Sequence, residues 1–178
     1  MTRRIIGIVG VAGSGKILVR QHLADVHGFG SVSFSGPVKR MMHFGLGLTH
    51  EQIDGDLKEV VDPVMCGRHP RGISRSLINE WGRNTIGGSL WCNIWKRDVL
   101  AMAGDVFAED VLYPDEAAAI RELGGQIWKV YRPGLNSANQ GVESTHRRIV
   151  EDRLIANATT IPDLLASGDA RVMQMKET

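Results

Sequence analysis

The stretch Gly10-Val11-Ala12-Gly13-Ser14-Gly15-Lys16 carries three glycines and ends on a lysine. It fits the spacing G-x-x-x-x-G-K. Glycines at these positions let the backbone turn tightly, so that successive N–H groups point inward and can hold phosphate oxygens. The following helix start adds partial positive charge. The main-chain amides from Val11 through Ala12, Gly13, Ser14, Gly15 and Lys16 to Ile17 are therefore the expected grip on a nucleoside triphosphate. The Lys16 ammonium is expected at its β- and γ-phosphates. The next position commonly carries a hydroxyl for Mg2+, and here it is Ile17, followed by Leu18. Isoleucine cannot ligate a cation. A carboxylate elsewhere has to serve, and Asp110 is the candidate; its alternative role is a structural hydrogen bond at a strand end.

Phosphoryl transfer asks mainly for positioning and positive charge around the moving group. Arg71, Arg75, Asn79 and Arg83 recur every four residues, which on a helix makes one slowly drifting polar stripe. Arg71 and Arg83 are candidates to hold an acceptor phosphate, as bidentate guanidinium groups do; the alternative is a solvated face. Lys39, just after Pro37, is a further acceptor-side candidate. Arg132 and Arg147 are expected on a segment that closes over ATP and excludes water. Trp81 or Trp91 could stack on a base, although Trp91 and Trp95 stand one helical turn apart, a spacing typical of core packing. Trp128 is expected in the core.

These groups need a scaffold. Ile5–Val9 is a continuous apolar run, as in a parallel strand covered on both faces. A helix is predicted from about Gly15 to Val26 and a short strand over 31–34. Further helices are predicted after Pro37, over about 73–84 and over about 91–103. A third strand is predicted over 106–113, then a helix opened by Pro114 with Asp115 and Glu116 in its first turn. Strands over 126–131 and 153–157 and a short helix around Pro162 complete the order. Alternating strands and helices predict a parallel α/β sheet of about five strands with helices on both faces.

The 178 residues suit one domain, and 43% hydrophobic residues suffice for a core. A formal net charge of +1 disfavours a protein that coats nucleic acid. The two cysteines, Cys66 and Cys92, are too few for a disulfide framework. Cys66 and His69 make half a metal site with no second pair to complete it. The N-terminal apolar run is too short for a signal peptide or a membrane span, so a cytoplasmic protein is expected, acting on small molecules.

Four further segments occur in an order that resembles phage-type deoxynucleoside monophosphate kinases: FSGPVKRMM (34–42), HPRGISRSLINEWGRNTIGGSLWCNIW (69–95), DVLYPDEAAAIRELGGQIWKVYRP (110–133) and LIANATTIPDL (154–164). The resemblance runs from about residue 5 to residue 165. It implies a P-loop NTPase fold, ATP and Mg2+ as cofactors, and transfer of the γ-phosphoryl group to a deoxynucleoside 5′-monophosphate. It implies a helical acceptor-binding insertion at about 37–103 and a lid-like segment at about 132–150 within a single domain. It also puts Glu116 on the acceptor side and allows a homodimer. The family usually reads Gly-Lys-Asp-Thr at Gly15–Leu18 and Asp-Val-Arg-Phe-Pro-Asn-Glu at Asp110–Glu116. An acid, a hydroxyl and an arginine are thus replaced by Ile17, Leu18 and Leu112. Two alternatives stay open: another acceptor (dephospho-coenzyme A, a nucleoside or a modified base in DNA), or a nucleotide-binding protein with little turnover.

Overall fold

The computed structural model describes residues 3–108, 110–135 and 148–175. These divide into two compact units, one of residues 1–33 and 96–178 and the other of residues 34–95. The boundary falls inside a helix, between Trp95 and Lys96.

The first unit is built on a parallel sheet. β1 (Ile5–Val9), β2 (Gly30–Ser31), β3 (Val106–Ala108), β4 (Gln126–Tyr131) and β5 (Arg153–Ala156) take the order β2-β3-β1-β4-β5. β1 is central, with Ile6 opposite Phe107 on one side and Gln126 on the other. All five of its residues are buried, which explains its unbroken apolar run. Ile6 and Ile8 point to a core shared with Val19, Leu23, Phe107, Trp128, Ile155, Leu164 and Val172. That face is covered by α1 (Lys16–His27) and α7 (Ile161–Gln174). Ile120 of α6 (Pro114–Glu122) lies on the other face, beside Gly7 and Ile127. The five-stranded parallel sheet with helices on both faces matches the alternation in the sequence.

Two strands are shorter than predicted. β3 ends at Ala108 rather than at residue 113, and β2 covers Gly30–Ser31 rather than 31–34. Beyond β3 the amides of Leu112 and Tyr113 donate to the Glu116 carboxylate, at 2.7 and 3.1 Å, and so are taken from any ladder. α7 is longer than predicted; its start is fixed by a capping box between Thr160 and Asp163.

The second unit is helical: α2 (Gly36–Arg40), α3 (His50–Ile53), α4 (Pro70–Ser76) and the first part of α5 (Leu90–Ala101). α2 runs into a π-helical turn, Met41–Gly45, and α4 into a longer π-helical stretch, Leu77–Ile86. The core here is Val38, Met42, Leu48 and Trp91, flanked by Ile53, Met65, Leu77, Ile78, Leu90 and Ile94. Among the described residues no helix is long and apolar enough to cross a membrane.

Candidate active site

The loop that follows β1 forms at the carboxyl end of the central strand, where parallel α/β sheets place their ligands. Gly10 has φ 150°, and a Cβ there would lie 2.5 Å from the Val130 carbonyl oxygen. The turn therefore needs glycine for backbone shape and for its approach to β4. The Ser14 amide closes the loop on the Val11 carbonyl at 3.2 Å, and α1 begins at Lys16 with no acidic residue in its first turn. The Lys16 ammonium donates to the Gly10 and Val11 carbonyls, at 2.6 and 2.8 Å. Burial pulls its pKa below the usual 10.5. Ser14 is fully buried, and among the described residues its hydroxyl has no hydrogen-bond partner. The Asn157 side-chain amide, just beyond the end of β5, braces the loop by donating to the Ser14 carbonyl at 2.9 Å.

Such a loop can do one thing well. It presents a helix N-terminus and an ammonium to an anion of several charges. The Ile17 side chain is 70% exposed and Leu18 41% exposed, so neither adds an oxygen to the loop nor joins the core. On the same unit, the Ser33 hydroxyl donates to Asp110 Oδ2 at 2.5 Å, which orients that carboxylate. Arg132 is exposed just beyond β4, in a turn closed by the Leu135 amide on the Arg132 carbonyl. Arg147 lies outside the described residues, as does most of the segment 132–150.

The helical unit holds the acceptor-side candidates Lys39, Arg71, Arg83 and Trp91. Arg71 donates to Glu59 Oε1 at 2.7 Å, and His69 stands 3.6 Å from the same carboxylate. The Arg71 hydrogen bond holds the Glu59 carboxyl below its ordinary range. His69 caps α4, accepting from the Gly72 amide at 3.0 Å. Lys39 pairs with Asp54 at 2.7 Å. Arg83 is half-buried on the π-helical stretch.

The π-helical run bears on the arginine stripe. A step of four residues overshoots a full α-helical turn by about 40°. An i→i+5 helix has more residues per turn, so the same step falls short of a full turn. The Arg71-to-Arg75 step lies in α4 and the Asn79-to-Arg83 step in the π-helical stretch. The two drifts oppose each other, and the four-residue spacing stays nearer to one line than on a uniform α-helix.

Two expectations need correction. Trp91 does not offer a face to a base: it is 2% exposed, and its indole N–H donates to the Ile78 carbonyl at 2.9 Å. Its neighbour Trp81, tilted against it at 6.1 Å between ring centroids, is the exposed tryptophan of the pair. Glu116 is 4% exposed and holds the Leu112 and Tyr113 amides. It shapes the turn after β3 and does not reach for a ligand. Reading residues alone missed the braces: Asn157 behind Ser14, Ser33 beside Asp110 and Glu59 beside Arg71. Only the fold brings the first two pairs together, whereas a carboxylate 12 residues before Arg71 had no periodic signal.

A central parallel strand, a glycine loop, a lysine and a helix start, within strand order β2-β3-β1-β4-β5, define a phosphate-binding-loop (P-loop) kinase fold. Solved structures with this fold include a shikimate kinase from Aquifex aeolicus, with TM-score 0.53 and 12% identity over 97% of this chain and 96% of that one. A gluconokinase from Sinorhizobium meliloti gives TM-score 0.53 and 12% identity over 99% and 95%. No family model matches the chain. In sequence it is 34% identical over 166 residues to a protein of Acanthamoeba polyphaga mimivirus named a deoxynucleotide monophosphate kinase, covering 85% of this chain and 83% of that one. The chain belongs to the deoxynucleotide monophosphate kinase family.

Proposed function

We propose that the protein transfers the γ-phosphoryl group of ATP to a deoxynucleoside 5′-monophosphate. An oxygen of the acceptor phosphate attacks the γ-phosphorus, the bond to the β–γ bridging oxygen breaks, and the diphosphate and ADP leave. The observation that carries the reading is the loop after β1, with its ammonium parked on the Gly10 and Val11 carbonyls. The name of the mimivirus relative supports the choice of acceptor.

In this reading the amides of Val11–Ile17 hold the β- and γ-phosphates. Lys16 exchanges two carbonyl oxygens for phosphate oxygens, a stronger charge-assisted contact. Arg71, set by Glu59, takes the acceptor phosphate together with Arg83. Arg132 and Arg147 screen the transferring group from water. Lys39, paired with Asp54, steers the incoming anion. Asp110, an oxygen donor oriented by Ser33, is of the type that suits Mg2+. When bound, the ion neutralises charge on the phosphate oxygens. Ile17 carries no oxygen for the ion, so Asp110 would be the side chain that holds it. The reaction uses the nucleotide pool of the cytoplasm.

The test is ADP release with ATP and Mg2+ across a panel of deoxynucleoside monophosphates, with ATP binding measured separately. Release that requires one or more of these acceptors is expected. Release with dephospho-coenzyme A or a nucleoside instead would move the acceptor. One observation favours a second reading, a nucleotide-binding protein of little turnover: an exposed apolar side chain stands at the hydroxyl position, Ile17. ATP binding with no release for any acceptor would select it.

A further inference from the structure

α1 and α7 share a feature unrelated to phosphate. His22 Nε2 and His27 Nε2 both lie 2.7 Å from Asp169 Oδ1. The three ligand atoms lie within 4.8 Å of one another. The imidazoles meet edge to face, with ring centroids 6.3 Å apart and planes at 81°. Residues five apart on a helix do not normally share a face. Here His27 is the last residue of α1, immediately before the left-handed turn at Gly28, and Asp169 reaches both rings from α7. The cores of the two helices fix the approach: Val19 and Leu23 of α1 pack with Leu164 and Val172 of α7.

We infer that His22, His27 and Asp169 form a binding site for a divalent ion of the Zn2+ class, which ties α1 to α7. Two imidazole nitrogens and one carboxylate oxygen are a donor set for Zn2+, with water completing four-coordination. Hard ions such as Mg2+ and Ca2+ prefer all-oxygen shells, so the site and the nucleotide chemistry draw on different metals. The rings are partly buried and the carboxylate is more open, which leaves a path for entry. Without metal both Nε2 atoms act as donors to one carboxylate oxygen. With metal the proton of each neutral ring moves to Nδ1 and the Nε2 lone pair is released.

The experiment titrates the full chain with ZnCl2 in excess Mg2+, following bound metal by equilibrium dialysis and the imidazole 15N signals by long-range NMR. The expected result is one Zn2+ per chain, large shifts of both His22 and His27 Nε2, and visible bands of four-coordinate ion when Co2+ replaces Zn2+. His22→Asn, His27→Asn and Asp169→Asn should each weaken binding by at least about tenfold, the loss typical for disturbed ligand shells. His50→Asn and Cys66→Ser, at an exposed histidine and an exposed thiol, should leave it unchanged. Binding lost in Cys66→Ser, or wild-type Zn2+ binding that moves neither His22 nor His27, overturns the inference. So does the absence of stoichiometric binding. The NMR readout on wild-type protein decides the matter even if Asp169→Asn fails to fold.

Discussion

The side-chain amide of Asn157 donates to the carbonyl of Ser14 at 2.9 Å, joining residues 143 apart in the chain. It ties the loop after β1 to the end of β5. Asn157→Ala removes one partly buried hydrogen bond, costing about 1 kcal/mol, and lets the loop sample shapes whose amides no longer converge. The expected outcome is a several-fold rise in KM for ATP with a smaller change in kcat, measured by steady-state kinetics. An unchanged KM would show that β1 and α1 alone set the loop.

Lys16 carries a second prediction. Burial lowers its pKa from 10.5, so between its folded and unfolded values the unfolded chain binds more protons. Stability therefore rises with pH through that alkaline window. In the proposed reading the charged ammonium meets the phosphates of ATP, so affinity should fall in the same window. Lys16→Met should weaken ATP binding strongly and flatten the pH dependence of what remains. Calorimetry at several alkaline pH values checks both. A wild-type affinity that stays level there would mean that the ammonium does not contact the nucleotide.

The turn after β3 rests on Glu116. Glu116→Ala leaves the Leu112 and Tyr113 amides without their acceptor in a buried site, a loss of about 2 to 3 kcal/mol. Glu116→Gln keeps one carbonyl oxygen and should lose roughly half as much. Urea denaturation measures both. If Glu116→Ala unfolds at the wild-type midpoint, the carboxylate is not the support of that turn.

That turn also shows how far the sequence could be read. Val111, Leu112 and Tyr113 look like strand residues, and apolar content alone extends β3 to residue 113. What ends the strand is a side-chain acceptor three and four residues later, visible only as the capping pattern before α6. β1 was legible because both of its faces are buried, so its run is apolar throughout; β4 was legible from Ile127, Trp128 and Val130, which are buried between the polar Gln126 and Lys129. The arginine spacing was legible as a stripe, but a four-residue period cannot separate α from π geometry. The tryptophan spacing pointed to core packing for Trp91, and the competing stacking role failed because its ring is enclosed. Pairs such as Ser33 with Asp110, or His22 and His27 with Asp169, leave no local mark, because a single aspartate has no period. The glycine loop after β1 was legible because its backbone shape is encoded directly by glycine spacing.

Packing of the π-helical stretch supplies another prediction. A Cβ at Gly82 would lie 2.3 Å from Trp91 Cζ2, so the indole lies flush against the glycine backbone. Gly82→Ala overpacks this contact and should cost about 1 to 3 kcal/mol. Trp91→Phe makes room but gives up the hydrogen bond to Ile78. Their effects should be strongly non-additive in the double variant, as expected for residues in contact. Thermal unfolding of the four proteins gives the coupling, and simple additivity would mean that the ring moves aside at little cost.

The last prediction concerns the departure at the phosphate loop. Ile17 and Leu18 expose apolar side chains at the start of α1, so replacing them removes no core contact, and stability should change by less than about 0.5 kcal/mol, the usual range for such surface positions. An acid near a helix N-terminus is also favoured by the dipole. Ile17→Asp with Leu18→Thr restores the acid and hydroxyl that the resembled kinases carry there. If metal placement limits the reaction, kcat should rise, and the Mg2+ concentration needed for half-maximal rate should fall, with KM for the acceptor unchanged. ADP release measured over a Mg2+ series at saturating substrates reads both quantities. A double variant with wild-type kcat and Mg2+ dependence would mean that Asp110 and the phosphates already hold the ion as well as the reaction requires, and that the apolar pair is no impediment.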